Sequence, residues 1–212
     1  MPASIDQPGA LLASGLKTMA IDLDRSRQRM LLDFLAMLER WNRTYNLTAV
    51  GEIPAMVSRH LLDSLAVLPW LEGQRIADLG SGAGLPGIPL AIAAPQRHFV
   101  LIDSNGKKVR FMRQVRRELG LTNIEPVQAR IESVLLAPAP DELIVRAVAD
   151  LAELVALSRR WLDQGARLLA MKGPLADHEL RSLGAEWAVR SVDLKVPGAD
   201  GRRCLVIVAR HP

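Results

Sequence analysis

The chain has 212 residues, 49% of them hydrophobic, enough for one compact domain with an appended segment or at most two small ones. Lys and Arg outnumber Asp and Glu by 27 to 23; the net charge of +4 and a pI near 9.7 leave a polyanionic partner and plain solubility charge both open. One cysteine, Cys204, excludes a disulfide framework and a thiolate cluster, four scattered histidines offer no metal-ligand spacing, and no apolar run approaches the roughly 20 residues of a membrane helix.

At the N-terminus, Asp6 precedes the first lysine, Lys17, and no sustained apolar run is present, so no export signal and a cytoplasmic location are expected. Residues 1–21 read as poorly structured. Met30, Leu31, Phe34, Leu35, Leu38, Trp41 and Tyr45 then recur at three- and four-residue spacing, which predicts an amphipathic helix from about 24 to 45. A second helical stretch covers 54–71.

From residue 75 the rhythm changes to short strand-like runs, "RIADL" (75–79), "HFVLID" (98–103), "NIEPVQA" (123–129), "ELIVRA" (142–147) and "ARLLAMK" (166–172), each separated by room for a helix. That alternation predicts a parallel, doubly wound sheet. "EWAVRSVDLKV" and "RRCLVIVAR" are joined only by "PGADG", too short for a crossover helix, so they read as an antiparallel hairpin closing the sheet edge. The expectation is an α/β fold with seven strands, residues 1–70 forming a tail and helical cap rather than an independent domain, and 71–212 the ligand-binding domain.

Ligands of such sheets sit beyond the carboxyl ends of the strands, which singles out the loop after "RIADL". Gly82, Gly84 and Gly87 there spell G-x-G-x-x-G, the pattern of a dinucleotide clamp. Pro86 and Pro89 nevertheless remove two N–H donors that a pyrophosphate needs, and Asp78 puts a negative charge at the mouth of the loop, where it favours an ammonium or sulfonium over a phosphate. S-adenosylmethionine fits that preference, and Asp103, 25 residues after Asp78, is placed to accept from its ribose hydroxyls. Alternatively the glycines only make a tight turn, and the two aspartates cap helices.

"DLGSGAG" resembles the first motif of class I S-adenosylmethionine-dependent methyltransferases, Rossmann-like proteins whose sheet also ends in an antiparallel hairpin. The fourth strand ends in Arg146-Ala147-Val148-Ala149, not the Asn-Pro-Pro-aromatic or Asp-Pro-Pro-aromatic motif of enzymes that methylate exocyclic amines. Methylation of a pyrimidine carbon needs a cysteine nucleophile, and Cys204 sits in the last expected strand. What remains favours an acceptor that is already nucleophilic and carries no proton, such as guanine N7.

"WNRTYNLTAV" (41–50), "RHLLDSL" (59–65), "DLGSGAGLPGIPLAI" (78–92), "DSNGKKVRFM" (103–112), "RAVADL" (146–151) and "MKG" (171–173) together closely resemble the RsmG (GidB) family. Its members are bacterial methyltransferases that modify guanine N7 in the decoding region of 16S ribosomal RNA, and the resemblance covers about residues 25–210. It implies methylation of guanine 527, with 16S ribosomal RNA or the small ribosomal subunit as partner. It further implies that Gly80 and Leu85 contact the cofactor with Gly82 and Gly84, that Ile131 and Glu132 flank the adenine, and that Arg146 is the family arginine. "ARIE" stands where relatives more often have Gly-Arg-Ala-Glu.

Arg146 and Lys172, at adjacent strand ends, are the candidate catalytic residues, holding RNA phosphate or guanine O6 near the methyl group; pairing of Arg146 with Asp63 or Asp150 is the competing reading. Arg110, Arg113, Arg116 and Arg117 share the polar arc of a helix opposite Phe111, Met112, Val115 and Leu119, either as a solvated face or as an RNA phosphate contact. Asn46, His60, Asp63 and Ser64 are expected to fold over the crevice, and the aromatics to form no base-stacking platform. A methyltransferase of small molecules or proteins, and a non-catalytic RNA-binding module, are the rival functions.

Overall fold

A computed structural model of the protein describes residues 7–146, 150–174, 179–180 and 183–211. Its centre is a seven-stranded sheet of β1 (Arg75–Leu79), β2 (His98–Asp103), β3 (Ile124–Gln128), β4 (Glu142–Arg146), β5 (Arg167–Lys172), β6 (Trp187–Leu194) and β7 (Arg203–Arg210), in the order β3-β2-β1-β4-β5-β7-β6. The first five strands are parallel, and β7 runs antiparallel to both β5 and β6. The expected hairpin is present, with β7 inserted beside β5 and β6 left at the edge.

Alternation along each strand sends side chains to two different apolar layers. Ile76, Phe99, Leu101, Ile144, Leu169 and Leu205 face one layer, which also contains α1 (Gln7–Thr18), α2 (Arg25–Tyr45), α5 (Gly87–Ala93) and α6 (Gly106–Glu118). Ala77, Leu79, Val100, Leu143, Leu168 and Val206 face the other, covered by α7 (Leu151–Leu162) through Leu151, Leu154 and Trp161. Residues of the N-terminal helices therefore share a single apolar cluster with one face of the sheet.

Helix α2 begins where Asp24 accepts from the Arg27 N–H at 2.8 Å and stops at Asn46, whose φ of 50° turns the chain out of the helix. Its buried residues are Leu31, Phe34, Leu35, Met37 and Leu38, with Met30 and Trp41 half-buried, whereas Tyr45, expected on the same face, is exposed. The second helical stretch is broken into α3 (Ile53–Met56), a π-helical turn over Val57–Leu62, α4 (Asp63–Leu65) and a short 3-10 turn over Leu68–Trp70. A π turn shifts the register of the helix beyond it and is common at functional sites.

Residues 7–18 correct the expectation of a poorly structured N-terminus; residues 1–6 lie outside the described residues. Pro8 and Gly9 weaken the sequence signal, yet Pro is tolerated in a first helical turn, and Leu12 and Leu16 are buried one turn apart. Gly15 lies so close to Leu62 that a Cβ there would collide with its side chain, so α1 is held by contact with the π turn.

Candidate functional site

The glycine loop leaves β1 at the carboxyl edge of the sheet. Gly80, Gly82 and Gly84 adopt φ values of 74°, 59° and 81°, which only glycine takes without strain. The N–H groups of Gly80 and Ser81 both bond to the Ile102 carbonyl at 2.9 Å, and those of Gly84 and Leu85 to the Ser81 carbonyl. The Gly82 N–H donates to Asp103 Oδ2 at 2.9 Å and the Gly87 N–H to Asp78 Oδ2 at 2.8 Å. Six of the loop's donors are thus satisfied within the protein, which leaves a pyrophosphate little to bind.

Asp78 corrects the expectation of a charge at the loop mouth. It is 1% exposed and does not line the cavity, because strand alternation turns it, like Ile76, toward α5. Burial pushes its carboxyl up to about 7, against the opposing pull of the Gly87 N–H and Arg146. It ties β1 to the start of α5, with Oδ1 buried and unpartnered among the described residues. The helix-capping alternative describes it better.

Beside the loop lies a cavity of about 370 Å³, within the range of small-molecule sites. Gly80, Ser81, Gly82, Ala83 and Leu85 form one wall; Leu47, Thr48, Arg59 and Asp63 come from the cap. Arg146, Met171, Lys172 and Gly173 come from the ends of β4 and β5, and Leu194, Arg203 and Cys204 from the hairpin. Of the expected site residues, the fold brings together Gly80, Gly82, Leu85, Arg146 and Lys172 around this cavity.

Asp103 stands just outside, 8% exposed, with Oδ2 on Gly82, Oδ1 accepting from the Asn105 N–H at 2.8 Å, and Lys108 Nζ at 3.8 Å. Gly84 lies under the loop against Ile88. Ile131 and Glu132 follow β3 in a turn whose carbonyls accept from Arg160 of α7, and neither lines the cavity. Arg110, Arg113, Arg116 and Arg117 are all exposed on α6, opposite buried Phe111, Met112 and Val115.

Asp63 sits between two guanidiniums: Arg146 Nη1 is 3.4 Å from its Oδ2 and Arg203 Nε 3.3 Å from its Oδ1. Arg146 also donates to the Arg59 carbonyl at 3.2 Å, while Asp150 caps α7 instead of pairing with Arg146. Lys172 pairs with Glu179 at 2.7 Å. His60, 5% exposed, lies 2.9 Å from the Thr48 hydroxyl through Nε2; burial lowers its pKa to about 4, so the ring is neutral. Burial pushes the Cys204 thiol up, and its Sγ donates to the Gly173 carbonyl, which makes it a poor nucleophile. Ser64 is fully buried, and Ala147, Val148 and Ala149 lie outside the described residues.

Sequence reasoning does not single out Thr48, Arg59, Ser81 or Arg203. Ser81 has a signal in its place inside the glycine motif. Arg203 has no local signal, since only the insertion of β7 beside β5 brings it to the wall. Among the described residues no His, Cys, Asp and Glu cluster suits a metal, and no helix is long and apolar enough to cross a membrane.

The family model for rRNA small subunit methyltransferase G matches residues 27–206. The chain is 46% identical to ribosomal RNA small subunit methyltransferase G of Legionella pneumophila (strain Philadelphia 1) over 94% of its length and 93% of the relative's. It is 48% identical to the protein of the same name in Marinobacter nauticus, over 96% and 95%. In fold it is similar to magnesium protoporphyrin IX methyltransferase of Synechocystis PCC 6803 with bound SAM, with a TM-score of 0.59 and 19% identity over 89% of this chain and 98% of that one. The structure of M. jannaschii TYW2 in complex with AdoMet gives 0.56 and 14% over 73% and 78%. By these matches along nearly its whole length, the chain belongs to the rRNA small subunit methyltransferase G family.

Proposed function

We propose that the protein transfers a methyl group from S-adenosylmethionine to N7 of a guanine in 16S ribosomal RNA, acting in the cytoplasm on the RNA or on the small ribosomal subunit. The observation that supports the choice of N7 is the state, among the described residues, of the wall groups able to take a proton. Asp63 is held by two guanidiniums, Lys172 is paired with Glu179, and Cys204 is a thiol. A purine N7 needs none of them, because its lone pair is already available and alignment alone suffices.

The glycine loop suits the cofactor: a Cβ built at Gly82 would meet nothing nearer than Lys108 Nζ at 3.9 Å, so the loop presents open space toward a ligand. Gly80, Gly82 and Leu85 would hold its methionine end with support from Gly84 and Asp78, Asp103 would accept from the ribose hydroxyls with its remaining lone pairs, and Ile131 and Glu132 would flank the adenine. Bound there, S-adenosylmethionine supplies an electrophilic methyl group on a sulfonium. Arg146 and Lys172 hold a phosphate or O6 of the acceptor, as cations suited to the side away from sulfur. Arg110, Arg113, Arg116 and Arg117 attract the RNA backbone. In this reading residues 71–212 carry the cofactor, and 1–70 act as a cap over the acceptor side.

Radiolabelled S-adenosylmethionine supplied with under-methylated 30S particles or 16S RNA, followed by nucleoside digestion, should yield labelled 7-methylguanosine. Label in another nucleoside would overturn the N7 reading, and label only in a metabolite or protein the RNA reading. Binding to RNA with no transfer at all would leave a non-catalytic module.

A further inference from the structure

The chain is poor in aromatic residues, with three Phe, four Trp and one Tyr. Half of them nevertheless form one continuous row. Phe34 of α2, fully buried, lies 6.2 Å from Phe111 of α6; Phe111 lies 5.5 Å from Trp41, and Trp41 lies 5.2 Å from Tyr45 at an interplanar angle of 36°. The row starts in the core under the cap and ends at the surface, where Tyr45 is 40% exposed. Only two other large hydrophobic residues among those described, Leu11 and Leu135, are as open to solvent.

Its position ties the exposed ring to the site. Tyr45 is the last residue of α2, Asn46 turns the chain, and Leu47 and Thr48 are already cavity wall. The Thr48 N–H donates to Asn42 Oδ1 at 2.8 Å, which folds this wall segment back against the helix turn that carries Trp41. Tyr45 is thus two residues along the chain from the cavity wall, although it does not itself line the cavity. Cations lie on both helices that carry the row: Arg43 of α2 is 74% exposed although paired with Glu39, and Lys107 and Lys108 of α6 lie one turn before Phe111, with Lys108 Nζ 3.8 Å from Asp103.

An exposed aromatic ring braced from behind by a second one suits a flat heteroaromatic ring, and the cations of the two helices suit the phosphate backbone that carries it. Trp41 restricts the ring, so stacking costs little further ordering, and stacking accepts any base because every base has a π face. Resting on the rRNA reading above, we propose that Tyr45, supported by Trp41, is a stacking site for an unpaired base of the RNA next to the one that enters the cavity. Holding that neighbour outside the stack helps keep the acceptor base inserted.

The test compares full-length wild type with Tyr45→Leu and Tyr45→Phe, using 30S particles or 16S RNA. The Leu variant should raise the RNA dissociation constant by about five- to a hundred-fold without changing the salt slope, and Phe should restore wild-type binding. Affinity for S-adenosylmethionine should stay unchanged. Because the chain has a single tyrosine, 3-fluorotyrosine labels this position alone, and its fluorine resonance should move on adding rRNA but not on adding S-adenosylmethionine. Wild-type affinity in the Leu variant, a changed salt slope, failure of Phe to rescue, or parallel loss of S-adenosylmethionine binding overturns the stacking site while leaving the rRNA reading intact. Absence of any rRNA binding by the wild type overturns both.

Discussion

Replacing Asp78 by asparagine isolates the cost of a buried carboxylate in the glycine loop. The carboxyl is 1% exposed and rises from an ordinary 3.8 to about 7, mainly through desolvation. Between those two values the folded protein binds a proton that the unfolded chain has released, so this group's contribution to stability falls as pH rises, by about 1.4 kcal/mol per pH unit. The loss is complete near pH 7, levels off above it, and amounts to something on the order of 4 kcal/mol. Asparagine has nearly the same shape, keeps an acceptor for the Gly87 N–H and does not titrate. Urea unfolding from about pH 4 to pH 8 should show the Asn variant gaining on the wild type up to pH 7 and then running parallel to it. Curves parallel throughout, or an Asn variant that loses ground as pH rises, would refute the desolvation argument. Asp78→Ala supplies the control: at pH 5 it orphans the Gly87 N–H and should lose about 1–3 kcal/mol.

Gly87→Ala should destabilise the fold by about 1–3 kcal/mol in the same assay, because the new Cβ meets the buried Leu101 side chain and lies 2.7 Å from Asp78 Oδ2. Asp63→Asn leaves Arg146 and Arg203 facing each other; as both guanidiniums are partly exposed, a loss of about 1–3 kcal/mol is expected in urea unfolding, less than for a fully buried pair. Replacing Arg110, Arg113 and Arg117 by Ala should spare S-adenosylmethionine binding by calorimetry and flatten the log–log salt dependence of RNA binding by about 2, if each meets one phosphate.

The strands are legible because each is a short apolar run bounded by turn residues, and all seven fall within a residue or two of the expected limits. Helix α2 is legible from its spacing. Helix α1 is not, since Leu12 and Leu16 are buried against the π turn that begins at Val57, a contact with no local signature. The glycine loop falls where the sequence puts it, but charge alone places Asp78 at its mouth. Counting two residues back to Ile76 along β1 turns it inward. The ring row escapes a reading of composition for a different reason: low aromatic content argues against a platform, whereas packing of α2 on α6 gathers four rings from positions 34, 41, 45 and 111.

Insertion of β7 between β5 and β6 also sets an order of assembly during synthesis. β6 leaves the ribosome before β7 but finds its only neighbour in β7, so it has no ladder to join until the later strand arrives. The same late strand delivers Arg203 and Cys204, and its register sets Cys204 opposite Lys172. A nascent chain can therefore assemble the five parallel strands and the glycine loop first, while the cavity wall from the hairpin closes last. Newly made protein should complete the glycine loop before it completes the cavity beside it.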